Sequence, residues 1–284
     1  MKRIRLALLR GVCQLPAYVA MERGFFAAEG IEAEPQVAPT AWTVPERLRK
    51  GEVDFAVIPW TRVAADVPRD GNRLMLVAGS GIEEAALVLR TGLAPADVRS
   101  VAVPNEGGIK DLTAMALLRR LNWNDIRLVR QPSGDGAILS FVGQGADAAA
   151  MVEPYAAMLE SLGLGKVLLR TGDVWPGAPG CSLTTTSAQI ERDADLVQRV
   201  VNAYGAAARH VLDAPDEAAA AGEKYIGVSA AIIRRALAGN RPDPRAIRND
   251  EAMSQILTLM ADLGYVKSPP QGYRDLRFLE AAGL

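Results

Sequence analysis

Residues 8–34, LLRGVCQLPAYVAMERGFFAAEGIEAE, contain the pattern that decides the fold. An apolar run ends in the turn at residues 11–16, a helix-like segment follows as far as Gly24, and a second short helical piece ends at Gly30. A strand that leads directly into a helix and then into another strand is the repeating unit of α/β proteins. The turn at Cys13 therefore follows the carboxyl end of a predicted strand, where ligands of such proteins bind.

The first half of the chain repeats this alternation of apolar runs and helix-like segments. Its short connections predict parallel βαβ units. We first predict strands at 4–9, 31–37, 54–59, 74–78 and 85–90, with helices at 17–28 and 45–50. After the turn-rich residues 91–97 the pattern restarts, with strands at 100–103, 127–130 and 147–151 and helices at 109–121 and 137–143.

The last third of the chain is predicted to be almost entirely helical. Proline-containing breaks at 214–216 and 241–244 separate the helical segments, as is typical of helix ends. The predicted helices are 194–212, 216–225, 229–237 and 250–263. The sequence therefore predicts two α/β units in series, followed by a helical tail.

Bulk composition limits the possible classes of function. With 284 residues, the chain exceeds the usual size of one compact domain. It is 49% hydrophobic and has a formal net charge of −1, which argues against a nucleic-acid-binding or membrane-surface protein. No apolar run is long enough to span a bilayer, and the apolar residues 6–9 are too few for a signal peptide. We expect a cytoplasmic protein as the sequence is written, and a periplasmic one if a signal peptide was removed.

Cysteine and histidine are scarce. Cys13 and Cys181 lie far apart in the sequence, with no CxxC pair, and His210 lies in a helical segment. Most zinc sites and catalytic triads need more of these residues. We therefore expect no metal and no cofactor.

Four segments carry a family resemblance over essentially the whole chain. They are AYVAMERGFFAAEGI (17–31), KGEVDFA (50–56), GADA to EPY (145–155) and CSLTTTS (181–187). In this order they resemble the NMT1/THI5-like (SsuA/TauA-type) substrate-binding proteins of ABC transporters, which serve the import of sulfonates, nitrate and thiamin-pyrimidine precursors.

The resemblance implies a type II periplasmic-binding-protein fold, in which two doubly wound α/β lobes are joined by two crossover strands. We expect these crossovers near 86–91 and 181–187. Residues 1–90 and 185–284 would form the first lobe, including the helical tail, and 91–184 the second. The expected protein is a monomer that closes around a small molecule by hinge motion and delivers it, if exported, to an ABC permease.

Loops at the predicted strand ends supply the candidate ligand-binding residues. Aromatic rings beside the carboxylates Glu106 and Glu153 suit a flat, amine-bearing or cationic ligand, because rings stack on it and carboxylates accept its hydrogen bonds. Gln14 is the first-loop residue that we most expect to contact the ligand. The candidate residues are Cys13, Gln14, Trp42, Thr43, Trp60, Thr61, Asn105, Glu106, Gly107, Glu153 and Tyr155.

Several alternatives stay open from the sequence. Trp42 and Trp60 can equally be core residues of the first lobe, and Glu153 can cap a helix. A sulfonate or other anion can bind to backbone amides at residues 107–109 or 133–134. By resemblance to a desulfinase on the same fold, Cys13 can be a catalytic nucleophile, although residues 38–60 contain no histidine to activate it. A cytoplasmic ligand sensor is a further alternative.

Overall fold

The computed structural model describes residues 1–66, 71–132 and 134–284. The strands in these residues are β1 (Lys2–Leu8), β2 (Ile31–Val37), β3 (Phe55–Pro59), β4 (Leu74–Gly79), β5 (Ala85–Arg90), β6 (Ser100–Pro104), β7 (Arg127–Gln131), β8 (Ala148–Val152), β9 (Gly165–Arg170) and β10 (Cys181–Thr186). The helices are α1 (Leu15–Glu22), α2 (Phe25–Ala28), α3 (Val44–Arg49), α4 (Trp60–Ala64), α5 (Ile109–Arg120), α6 (Gly134–Val142), α7 (Tyr155–Ser161), α8 (Ser187–Arg192), α9 (Ala194–Asp213), α10 (Pro215–Ile226), α11 (Ala230–Ala236), α12 (Asp250–Asp262) and α13 (Arg277–Ala281).

The strands form two five-stranded sheets with the same topology. The first sheet has the order β2-β1-β3-β10-β4 and the second the order β7-β6-β8-β5-β9. In each sheet four strands are parallel and one is an antiparallel insertion: β10 lies between β3 and β4, and β5 lies between β8 and β9. This arrangement confirms the predicted fold of two α/β lobes with C-terminal helices.

The antiparallel strand of each sheet contains residues that the sequence analysis assigned to the other lobe. β5, predicted to end the first lobe at residue 90, belongs to the second sheet. β10, of which residues 181–184 were assigned to the second lobe, belongs to the first sheet. The chain therefore crosses between the sheets at residues 80–84 and 171–180. Both strands are almost completely buried, and burial alone does not indicate which sheet a strand joins.

An aspartate at the start of an inner strand joins it to the neighbouring strand in both lobes. Asp54 accepts hydrogen bonds from the backbone N–H and the Nε of Arg5 on β1, at 2.8 and 3.1 Å. In the second lobe, Asp147 accepts hydrogen bonds from the backbone N–H groups of Arg99 and Ser100, both at 2.9 Å. These two aspartates belong to the segments that carried the family resemblance, and their shared role explains the motif in both lobes.

The helical tail contacts both lobes. Helices α9 and α10 pack on α1 of the first lobe, where Tyr225 stacks on Tyr18 at a centroid distance of 4.4 Å. Helices α11 and α12 contact α7 and α5 of the second lobe. The tail therefore contacts the second lobe as well as the first lobe, to which the sequence analysis assigned it. Within the residues described, no helix combines the length and the hydropathy needed to cross a membrane.

Candidate ligand-binding cleft

A cavity of about 290 Å³ lies between the two sheets. Its first wall comes from the loops after β1, β2 and β3, and its second wall comes from the loops after β6 and β8. The carboxyl ends of the parallel strands of both sheets thus face one space. Ligands of open α/β sheets bind at this edge, where loops lead into helix N-termini.

The two lobes are in direct contact around the cavity. The backbone N–H of Val12 donates to the Glu153 carbonyl oxygen at 3.0 Å, and the Tyr155 hydroxyl donates to the Arg10 carbonyl oxygen at 3.2 Å. On another side, the Thr61 hydroxyl donates to the Gly107 carbonyl oxygen at 2.9 Å. These contacts bring the two walls together and enclose the space between them.

Arg62 connects the two walls and presents a cation to the cavity. Its guanidinium carbon lies 3.3 Å from the ring centroid of Trp42, a cation–π geometry, and its Nη2 donates to the Glu106 carbonyl oxygen at 2.9 Å. Burial lowers the pKa of Arg62 to about 10, so the group is still protonated at neutral pH. The backbone carbonyl and the ring leave its charge uncompensated.

Positive charge predominates in the lining of the cavity. Arg10, Arg62 and Lys110 line it, and within the part of the chain that the structure describes none of them forms an ion pair. The lining carboxyl group is Glu84, which is 2% exposed, and burial raises its pKa. With three cationic side chains and one carboxyl group among these lining residues, the charge around the cavity is net positive.

The N-terminus of α5 faces the same cavity. Gly108 is the extended N-cap, and Gly108, Ile109 and Lys110 all line the cavity. Asp111 in this turn is buried, accepts the Gly107 N–H at 3.0 Å and pairs with Arg130, so its charge is compensated within the wall. Free N–H groups at a helix N-terminus and the helix dipole attract anions.

Two cysteines and a glutamate form the floor of the cavity. The sulfur atoms of Cys13 and Cys181 and a carboxylate oxygen of Glu84 all lie within 4.8 Å of one another. The Cys181 N–H donates to Glu84 Oε2 at 3.0 Å, and its sulfur lies 3.6 Å from Oε1. Gln14 Nε2 donates to the Cys13 sulfur at 3.2 Å. The cysteines, which the sequence analysis treated as separate, are neighbours because β10 is inserted beside β3.

The environment of the thiols opposes their ionisation in the metal-free protein. A hydrogen bond with Cys181 lowers the pKa of the Cys13 thiol, but burial and the nearby Glu84 raise this pKa further, so its net direction is upward. The hydrogen bond with Cys13, together with burial, raises the pKa of Cys181 well above its usual value. A nucleophilic cysteine needs a lowered pKa, so the geometry does not supply the activation that the desulfinase-like alternative requires.

Of the residues predicted from the sequence, Cys13, Trp42, Asn105 and Tyr155 line the cavity. The other candidates lie elsewhere. Gln14 is fully buried behind the first loop, where its side chain accepts the Leu9 N–H and donates to Cys13. Thr61 and Gly107 bond to each other across the lobes, and Thr43 is exposed before α3.

Trp60 is a core residue. It is completely buried and stacks on Tyr273 at a centroid distance of 6.1 Å. Its side chain packs in the core of the first lobe, while Arg62, two residues later on α4, lines the cavity. Of the two positions considered for Trp60, cleft or core, the structure shows the core.

The two predicted carboxylates do not line the cavity. Glu153 is completely buried, forms an ion pair with Arg170 at 2.8 Å and accepts the Ala157 N–H at 3.0 Å at the start of α7. The side chain of Glu106 is 64% exposed and lies 3.9 Å from Arg130. The argument for a cationic ligand therefore loses its two acidic groups. Of the two predicted amide sites for an anion, Ser133 lies outside the described residues, and residues 107–109 lie at the N-terminus of α5.

Sequence reasoning missed Lys110 and Glu84 as lining residues. No local pattern marks them. Lys110 reads as an ordinary residue of an amphipathic helix, and Glu84 lies in the connection between the lobes, whose path depends on both sheets.

Comparisons with known proteins agree with this architecture. A family model described as the NMT1-like family matches residues 1–225. A search of curated proteins found no significant match. Among solved structures, the ligand-binding component of an ABC-type import system from Staphylococcus aureus, with zinc bound, superimposes with a TM-score of 0.85 at 16% identity over 99% of both chains.

Two further solved structures are similar over most of their length. The periplasmic aliphatic sulphonate binding protein SsuA from Escherichia coli has a TM-score of 0.75 and 16% identity, covering 95% of both chains. The periplasmic nitrate-binding protein NrtA from Synechocystis has a TM-score of 0.78 and 14% identity, covering 100% of this chain and 88% of that chain. At these identities the likeness shows a shared fold.

Proposed function

The chain belongs to the NMT1-like family, and on that premise we propose that it is a solute-binding protein that encloses a small organic anion between its lobes. The observation that carries this proposal is the charge of the cavity. Three cationic side chains without ion-pair partners in the described residues and the N-terminus of α5 line a space whose buried carboxyl group has a raised pKa.

The anionic group of the solute would bind between Arg62 and the N-terminus of α5. Arg62 approaches from the first wall, and Gly108 and Lys110 approach from the second. Hydrogen bonds to charged groups contribute about 1.5–3 kcal/mol each, so two or three of them outweigh the loss of the solute's hydration in this half-enclosed site. An anion that contacts both walls would also hold the lobes together.

The remainder of the cavity favours a solute with an apolar or aromatic part. Val37, Pro39, Ile138 and Met151 contribute apolar surface, and Trp42 and Tyr155 contribute rings. A volume of about 290 Å³ is at the small end of the usual range for ligand sites, which favours a compact molecule. A short alkyl or aryl sulfonate or carboxylate has this combination of features.

This proposal reverses the ligand charge favoured by the sequence analysis. The amine-bearing heterocycle depended on Glu106 and Glu153 as acceptors, and neither side chain faces the cavity. The sulfonate-like alternative depended on backbone amides at a helix N-terminus, and the N-terminus of α5 lines the cavity together with three cationic side chains.

An ABC permease is the proposed partner. The named relatives include the ligand-binding component of an ABC-type import system and two periplasmic binding proteins, and this chain shares their fold. Hinge closure around a solute is the conformational change that such folds use. Catalysis by Cys13 finds no support in the raised thiol pKa.

A panel of matched solutes tests the proposal. The purified protein is titrated with a sulfonate, a carboxylate and an amine that share one carbon skeleton, for several alkyl and aryl skeletons, by thermal shift and calorimetry. Binding to the folded state raises the melting temperature. We expect the anionic members to stabilise the protein and the matched amines to have no effect. Stabilisation by the amines at least as strong as that by the anions would contradict the proposal.

A further inference from the structure

The floor of the cavity contains three metal-ligating groups that solute binding does not require. Cys13, Glu84 and Cys181 are 4%, 2% and 3% exposed, and each nonetheless lines the cavity. Two sulfur atoms and one carboxylate oxygen within 4.8 Å of one another form a donor set from three separate segments of the chain. Such a buried group of potential anions is expensive to form unless something compensates it.

The spacing of the donors fits a tetrahedral metal ion. With Zn–S bonds of about 2.3 Å and Zn–O bonds of about 2.0 Å, tetrahedral geometry requires an S–O separation of about 3.5 Å and an S–S separation of about 3.8 Å. The Cys181 sulfur lies 3.6 Å from Glu84 Oε1. All separations are within 4.8 Å, so a contraction of at most about 1.3 Å brings the three donors onto one zinc ion.

Neighbouring hydrogen bonds orient two of the donors. Gln14 Nε2 donates to the Cys13 sulfur at 3.2 Å, which supports a thiolate. The Cys181 N–H holds Glu84 Oε2 at 3.0 Å and leaves Oε1 directed towards the sulfur. Outer-shell hydrogen bonds of this kind orient the ligands of protein metal sites.

We propose that Cys13, Glu84 and Cys181 bind one zinc ion at the floor of the cavity. Two thiolates and a carboxylate suit Zn²⁺, whereas Mg²⁺ and Ca²⁺ prefer oxygen ligands alone. The fourth coordination position faces the cavity because all three residues line it. Water occupies this position in the absence of solute, and an oxygen atom of an organic anion can replace it.

The experiment measures zinc binding in the absence of any organic solute. The protein is reduced, shown to have both thiols free by a thiol titration under denaturing conditions, and titrated with Zn²⁺ against a chromophoric chelator. Co²⁺ then replaces Zn²⁺ as a spectroscopic probe, since thiolate ligands give an intense charge-transfer absorption. Variants are C181S, C13S/C181S and E84Q. The matched control is E83Q, because Glu83 is the neighbouring residue and its carboxylate accepts the Gly177 N–H, away from the sulfur atoms.

We expect one equivalent of Zn²⁺ to bind to the wild-type protein and to E83Q, with a thiolate-to-Co²⁺ absorption in both. C181S should weaken zinc binding at least about 100-fold, and E84Q at least about 10-fold, because the loss of even an outer-shell partner weakens metal binding 10- to 100-fold. An excess of Mg²⁺ should not displace zinc. Melting curves establish that each variant is folded.

The proposal is overturned if the reduced wild-type protein binds no zinc, or if the folded C13S/C181S variant binds it as tightly. A Co²⁺ complex without thiolate absorption would overturn it as well. Because no organic anion is present, failure of the zinc site leaves the proposed solute-binding function unaffected, and failure of the solute panel leaves the zinc site unaffected.

Discussion

The guanidinium of Arg62 lies over the indole ring of Trp42, with 3.3 Å between the guanidinium carbon and the ring centroid. This pair belongs to the first lobe, but Arg62 also donates to the carbonyl oxygen of Glu106 in the second lobe. Since burial lowers the pKa of Arg62 only to about 10, its charge persists at neutral pH. Arg62 is therefore the residue that best combines solute binding with contact between the lobes.

Replacing Arg62 tests its role in solute binding. R62A should weaken the binding of an organic anion about 10- to 100-fold, the equivalent of one hydrogen bond between charged groups. R62K keeps the charge but loses the planar fork, so its loss should be intermediate. Calorimetry measures the affinity of both variants for the anion. R234A is the matched control because Arg234 pairs with Asp216 on the surface. Equal effects of R62A and R234A would refute the role.

The two tryptophans should separate stability from binding. Trp60 is completely buried, so W60A should lower the free energy of unfolding by about 3–5 kcal/mol. Trp42 is 43% exposed and lines the cavity, so W42A should weaken anion binding with a much smaller effect on stability. Urea unfolding and calorimetry measure the two quantities. W60F, which keeps an aromatic ring at this position, should retain binding; if it abolishes binding in a folded protein, Trp60 is not only a core residue.

Asp147 should contribute stability that disappears in acid. Burial raises its pKa, but hydrogen bonds from Arg99 and Ser100 lower it further, so the pKa in the folded protein is below that of the unfolded chain. Such a group stabilises above its unfolded pKa of about 3.9, and this contribution is lost as pH falls through the folded pKa. D147N should destabilise by about 1–3 kcal/mol at neutral pH and by less at about pH 3. D125N, at an exposed residue, is the matched control for the substitution.

The free energy of unfolding should show the opposite pH dependence when Arg170, the partner of the buried Glu153, is replaced. Burial raises the pKa of Glu153, so the ionised form is disfavoured and stability decreases as pH rises through this pKa. R170M leaves the carboxylate without its 2.8 Å partner, which should lower the free energy of unfolding by about 3–5 kcal/mol at neutral pH. Urea unfolding should show a smaller loss at about pH 5, where protonation of Glu153 becomes easier. A loss independent of pH would mean that Glu153 is neutral in the wild-type protein.

Much of the element order was predictable because its signals are local. The first strand, the turn at Cys13 and the glycine-ended helices before Ile31 appear in the structure at the predicted places. Apolar periodicity and turn residues depend on neighbours within a few positions, which is why these elements can be read without a structure. Strand β9 was missed, since it is only six residues long and begins with a glycine and a lysine.

Ligand chemistry was the weakest part of the sequence-based interpretation. The position of a loop at a strand end is predictable, but the direction of each side chain within it is not. The side chain of Glu153 points away from the cavity and pairs with Arg170 on β9. Trp60 and Arg62 are two residues apart on one helical turn, and they face the core and the cavity respectively.

The sequence by itself determined two α/β units, a helical tail and the loops that form the cleft, because these follow from local pattern and from the family motifs. Only the tertiary structure decided the charge and the floor of that cleft. β10 enters antiparallel beside β3 and places Cys181 opposite Pro59, at the carboxyl end where the loop after β1 carries Cys13. Contacts between residues so distant in sequence depend on the order and direction of strands, which no local pattern contains.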